Sequence, residues 1–390
     1  MSGESSARRC QIGFTLVELM VSMAISLLMV LALVTLLINI NRNNLELTRS
    51  NQVIENGRFA LQLLASDVAH AGYWGGFVPA FDDLTTVGVP ADVPTAVPDP
   101  CLAYPLWEAA PYTTDGPPRV SHRDNLLGIA AQAYGIAAGV PVPLCASRIS
   151  SPKAKTDVLV VRHVETCAAG VDDCPEQSAG DLYFQVARCG IAAAHPAYVF
   201  DTTSLSLTDR DCTHTVEVRK FVSNLYYVRN YAVTPGDGIP ALMRSEFGLS
   251  GTTLTQMAAQ AMVEGIEGFR VEFGIDNLSN SGAAVNHANA IVWADPARLR
   301  QPVNRGDGVP DGAFVHCSAA SPCTADQLMN ATAVKLYVLV RSEGVTPGYT
   351  DSKTYLLGTG TLGPFNDGYM RHVFSQTVRL NNVAARREVP

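Results

Sequence analysis

The sequence predicts an α+β fold: one long N-terminal helix followed by a large, mainly antiparallel β head cross-linked by disulfides. Three observations carry this. Residues 19–38 form a run of twenty uncharged positions near the N-terminus. Segments with apolar side chains at every second position recur from residue 156 to the C-terminal end. Eight of the nine cysteines lie beyond the uncharged run. A helix first and strands afterwards keep the two element types apart, as in an α+β chain rather than an alternating one.

The chain has 390 residues and is 47% hydrophobic, enough to bury a substantial core. Its formal net charge is -8, so it has no broad basic footprint and no nucleic-acid partner is expected.

The helix comes first. Arg8 and Arg9 precede an apolar run over residues 14–38, in which Glu18 is the only charge. The run is long enough to span a bilayer once. The two arginines favour a cytoplasmic N-terminus, which places everything after residue 40 outside the inner membrane. A cleaved secretory signal would be shorter and would end at a small-x-small site. Here the run ends Ile38-Asn39-Ile40-Asn41, which is no such site. The helix is expected to continue, because no proline occurs before Pro79. Ile54, Leu61, Leu64 and Val68 fall on one helical face, with Asn51, Gln52, Glu55, Arg58, Gln62 and Asp67 on the others. A helix over residues 14–71, transmembrane over 14–38, would be about 85 Å long. Gly57 is its weak point.

The head, residues 72–390, opens with Gly72-Tyr73-Trp74-Gly75-Gly76-Phe77, and nine prolines follow between Pro79 and Pro118. That stretch reads as irregular, pinned by Cys101. Strands are expected over 156–164, 181–188, 216–222, 225–231, 269–275, 333–341 and 372–380, and a short alanine-rich helix over 124–138. Cys101, Cys145, Cys167, Cys174, Cys189, Cys212, Cys317 and Cys323 suit disulfides in an oxidising compartment. Cys167 with Cys174 and Cys317 with Cys323 would close short loops; buried free thiols are the alternative.

Gly13-Phe14-Thr15-Leu16-Val17-Glu18-Leu19 resembles the type III signal of type IV prepilins and pseudopilins. The resemblance implies a cytoplasmic leader over residues 1–13, cut by prepilin peptidase between Gly13 and Phe14, and N-methylation of Phe14. It also implies that Glu18 docks on the N-terminal amine of a neighbouring subunit. A carboxylate in an apolar helix is costly without a partner. The plainer alternative sets Glu18 at headgroup level, helped by the helix dipole.

Three stretches sharpen the likeness: residues 56–77 (NGRFALQLLASDVAHAGYWGGF), 263–276 (VEGIEGFRVEFGID) and 369–382 (YMRHVFSQTVRLNN). Together they look like the PilW-type minor pilins of type IV pilus assembly, although that pattern leads one to expect a basic residue where Asn381 stands. The likeness implies a structural protein of a priming complex at the pilus tip. Its implied partners are other minor pilins, the major pilin, prepilin peptidase, the assembly platform and a tip adhesin. It implies a single pass through the inner membrane with a periplasmic head, later carried to the tip. A minor pseudopilin of a type II secretion or DNA-uptake system shares the signal and is the alternative. A membrane-tethered periplasmic enzyme is a different class, and no catalytic constellation supports it.

Two motifs are set aside. His163-Val164-Glu165 with Cys167 and Cys174-Pro175 lacks the Pro-Cys-x-x-Cys pair that a zinc deaminase needs. Asn304, Asp307 and Asp311 sit in a Gly-rich loop that resembles a fragment of a calcium site. It has too few carboxylates, and Arg305 stands where a ligand is wanted, so tight Asp-Gly turns are the expectation. No metal and no cofactor is expected.

Overall fold

The computed structural model describes residues 13, 15–107, 120–132, 145, 148–189, 197–298, 300–318 and 320–388. Its first helix, α1, runs Leu16–His70, 55 residues. The chain divides into two compact units, Met1–Gln52 and Val53–Pro390.

In the first unit every described residue from 15 to 48 is exposed. Among the described residues α1 is the one helix long and apolar enough to cross a membrane. Its few hydroxyls fold back onto the helix. Ser22 Oγ donates to the Leu19 carbonyl at 2.9 Å, Ser26 Oγ to that of Ser22 at 2.6 Å, and Thr35 Oγ1 to that of Leu31 at 2.8 Å. Each hydroxyl within residues 19–38 thus has a backbone acceptor, which suits an apolar surround.

In the second unit, α1 buries Val53, Gly57, Ala60, Leu61, Leu64, Ala65 and Val68, one face at three- and four-residue spacing. The face differs from the expected one at its start. Ile54 is 38% exposed and Val53 is buried instead. One position turns a side chain about 100° around a helix, so the stripe follows Val53 and Gly57. Gly57 lies on this face because a Cβ there would meet the Phe374 ring at 2.3 Å. The absent side chain lets the ring pack on the helix. Gly72, at φ 72°, ends the helix in the left-handed region that glycine favours. A Cβ on Gly128 would meet the Gly72 nitrogen at 2.2 Å, so two glycines bring the helix end against the sheet. Trp74, fully buried, then inserts its ring beside Phe184, Phe200 and Phe221.

The strands make an eight-stranded antiparallel sheet. Its path is β1 (Ile129–Gln132), β2 (Val158–Val164), β5 (Arg219–Arg229), β3 (Tyr183–Val186) and β4 (Tyr198–Asp201). β6 (Ala241–Ser250) extends it from β5 and carries β7 (Thr253–Gln256) and β8 (Gln260–Glu264). A three-stranded sheet orders β13 (Arg371–Arg379), β10 (Ala331–Arg341) and β9 (Ile266–Ile275), and β11 (Tyr355–Leu357) pairs with β12 (Gly360–Leu362).

Two expectations are corrected. Residues 216–222 and 225–231 were expected as separate strands, but β5 runs unbroken between β2 and β6, because Ser223 and Asn224 pair within the ladder instead of turning. The expected helix over 124–138 is absent from its described part. α2 (Val120–Asp124) ends where that helix should begin, and Ile129–Gln132 pairs with β2. Pairing with β2 and burial of Ile129 and Ala130 in the sheet, with Leu126 and Leu127 buried just before it, outweigh alanine propensity in a short helix; residues 133–140 lie outside the described set.

Two buried arginines close the fold. Arg387, at the end of α4 (Asn381–Arg387), bonds to Asp82, Asp276, Asn330 Oδ1 and the Met329 carbonyl. Arg371 reaches Glu267, Asp351 and Asp367.

Candidate functional site

Gly13 stands in open space, with nothing within 4 Å of where a Cβ would be, and Phe14 lies outside the described residues. Thr15 and Glu18 then cap α1 reciprocally. The Thr15 N–H donates to Glu18 Oε2 at 2.9 Å, and Thr15 Oγ1 accepts from the Glu18 N–H at 3.3 Å. This is a capping box: two amide hydrogens with no partner in the helix are satisfied, and the carboxylate sits at the positive end of the helix. The reading of the sequence missed Thr15. Its Thr-x-x-Glu spacing ahead of an apolar run was the available signal.

Farther along the same helix, Asp67 makes a second carboxylate site. Its Oδ1 accepts from His163 Nε2 at 3.0 Å, and its Oδ2 accepts from Asn224 Nδ2 at 3.0 Å and from the Tyr226 hydroxyl at 2.8 Å. Asp67 was expected on an outward polar face, but the sheet supplies three donors to it. His163 is held on both sides, its Nδ1 lying 2.9 Å from the Val164 carbonyl. Burial pulls its pKa down, but Asp67, that carbonyl and Glu165 outweigh burial and raise it above the ordinary imidazole value. Burial and Asp67 together push the Tyr226 hydroxyl up. The site is a polar lock between α1 and the large sheet, set in the wall of an open cavity of about 460 Å³ that His70, Glu165 and Arg244 also line.

The eight head cysteines form four disulfides: Cys101–Cys145, Cys167–Cys174, Cys189–Cys212 and Cys317–Cys323. Cys10 lies outside the described residues. In the Gly-rich loop, Asn304 Oδ1 accepts from the Val292 N–H, Asp307 Oδ1 from that of Val309 and Asp311 Oδ2 from that of Leu278. Arg305 donates to the Asn286 and Asn289 carbonyls. One side-chain oxygen of each of the three residues is thus bonded to a backbone amide. Among the described residues, Asp99, Cys101 and Cys145 are the cluster with metal-ligand spacing, and its two sulfurs are bonded to each other.

Comparison with known proteins agrees with this geometry. Residues 8–34 match the prokaryotic N-terminal methylation motif, the segment holding Gly13, Thr15 and Glu18. This, with an exposed apolar helix leading into an antiparallel head, defines the class: a type IV pilin-like protein. Residues 225–382, from within β5 to the start of α4, match the family described as Type IV Pilus-assembly protein W, so this part of the head is similar to PilW. A type IV-like pilin from Thermus thermophilus aligns at 16% identity over 60% of this chain and 82% of its own, with a TM-score of 0.24, too loose a superposition to carry an argument. No curated protein matches the chain.

Proposed function

We propose that the protein is a minor pilin that joins other minor pilins in the priming complex of type IV pilus assembly and is carried at the tip. It enters the inner membrane through the apolar part of α1, with the head in the periplasm. Prepilin peptidase cuts between Gly13 and Phe14, and Phe14 is then N-methylated. Glu18 docks on the N-terminal amine of a neighbouring subunit, and the major pilin and the assembly platform complete the set of partners. The head presents a tip adhesin; its role is structural rather than catalytic.

One observation carries this reading: an exposed apolar run over residues 14–38 of which the sole acid, Glu18, sits three residues past Thr15, behind an unobstructed Gly13. The PilW match over the head favours the pilus over a secretion pseudopilin. The test is a deletion strain scored for twitching motility and for protein secretion, complemented with wild-type or Gly13→Leu protein. Lost twitching with intact secretion is expected, with Gly13→Leu accumulating at its longer, uncut length. Intact twitching in the deletion strain, or normal cutting of the variant, would overturn the reading.

A further inference from the structure

Among the described residues, the three-stranded sheet has one edge with no neighbouring strand, that of β13. On its β9 side, Phe273 pairs with Val315 and the Asp157 N–H donates to the Phe269 carbonyl. On the other side β13 pairs with β10 over nine consecutive positions with no register shift. The Leu380 N–H donates to the Thr332 carbonyl. By antiparallel alternation, the even-numbered backbone groups of β13 therefore face β10. Those of Val373, Ser375 and Thr377 face away from it. Proteins usually guard such an edge with a bulge, a proline or a lysine. β13 reads Arg-His-Val-Phe-Ser-Gln-Thr-Val-Arg and has none of these.

Beside this edge runs a groove of about 590 Å³, flanked by α1. Ala65, Ser66 and Ala69 are small, and their size makes the room. Arg58 and Arg379 stand at the groove. Arg379 pairs with Glu388, while Arg58 is exposed and has no ion-pair or hydrogen-bond partner among the described residues. A chain of net charge -8 thus carries an unneutralised cation beside its unguarded strand.

We infer that the β13 edge is completed by an extended segment of another pilin-like subunit, added as a fourth strand and bearing an acidic side chain that pairs with Arg58. The inference rests on the assembly reading above and names how one partner attaches. Backbone groups of Val373, Ser375 and Thr377 supply the ladder, and the groove admits the alternate side chains of the incoming strand. The β13 strand of a second copy is a poorer occupant, because Arg371–Arg379 holds no acidic side chain to meet Arg58.

The test places a photo-crosslinking phenylalanine at Ser375 or Thr377 of the full-length protein in piliated cells, and maps the adducts by mass spectrometry. An adduct on an extended acidic segment of another pilin-like subunit is expected. Arg58→Glu should lower its yield several-fold, and Arg58→Lys should retain it. Adducts only to a second copy of this chain, adducts only to lipid, or no adduct would overturn the inference, as would a yield indifferent to Arg58→Glu. Cutting after Gly13 and twitching are scored in the same strains. If both are normal and the adduct is missing, the edge inference fails alone; if the deletion strain still twitches, the assembly reading fails first.

Discussion

Two of the four carboxylates on α1, Glu18 and Asp67, have opposite surroundings. Asp67 is met by His163, Asn224 and Tyr226, side chains that lie 96 to 159 residues away in sequence. Glu18 is met only by Thr15, three residues before it. Asp67 has its partners within the folded chain and locks it. Among the described residues Glu18 has its cap alone. The same side-chain chemistry locks the fold in one half of α1 and, in the proposed assembly, is kept for a neighbouring subunit in the other.

Four changes bear on that contrast, from the largest expected effect to the smallest. Asp67→Ala should destabilise the head by about 3–5 kcal/mol, because it strands three buried donors. Urea unfolding of the detergent-solubilised protein would measure this, and a loss below about 1 kcal/mol would mean that the lock is ornamental. Gly57→Ala comes next. On an open helix face the change would stabilise by up to about 1 kcal/mol. Against the Phe374 ring it should instead cost about 1–3 kcal/mol, and Phe374→Leu in the same chain should recover part of the loss.

The third change is in pH. The folded pKa of His163 lies above its unfolded value, so its contribution is complete below about pH 6.5 and fades as pH rises through the folded value. Melting curves from about pH 6 to about pH 9 should show a downward trend that His163→Gln flattens. An unchanged slope in the variant would assign the trend to other groups. The smallest effect on folding belongs to Glu18. Glu18→Ala should leave the head's unfolding midpoint where it was, while impairing piliation. Glu18→Gln separates its two roles, since glutamine can still close the capping box but carries no charge. Restored piliation with Gln would leave only the cap.

The contrast also shows what a single chain discloses. The N-terminal signal was legible because it is contiguous: Gly13, Phe14 and Glu18 stand within six residues. Strands such as 156–164 and 333–341 were legible because alternation is local, and the neighbouring cysteine pairs because their loops are short. Asp67 was not, since a polar residue on a helix looks solvated until a strand far along the chain supplies its donors. The break expected within β5 fell at Ser223 and Asn224, polar residues that two neighbouring strands hold in a central strand. Gly57 looked like a flaw for the same reason: the ring that needs its space is Phe374, more than three hundred positions away.

The disulfides span only 44, 7, 23 and 6 positions, and all fall between Cys101 and Cys323. Neither α1 nor the last strand and helix lies inside a covalent loop. A mechanical load entering through the N-terminus therefore meets no covalent stop before Cys101. What resists it is the ring of Phe374 against Gly57, the hydrogen bonds on Asp67 and the buried Trp74. A load-bearing subunit built this way would yield first at a noncovalent joint and could re-seat when the load is released, its cross-linked loops still closed.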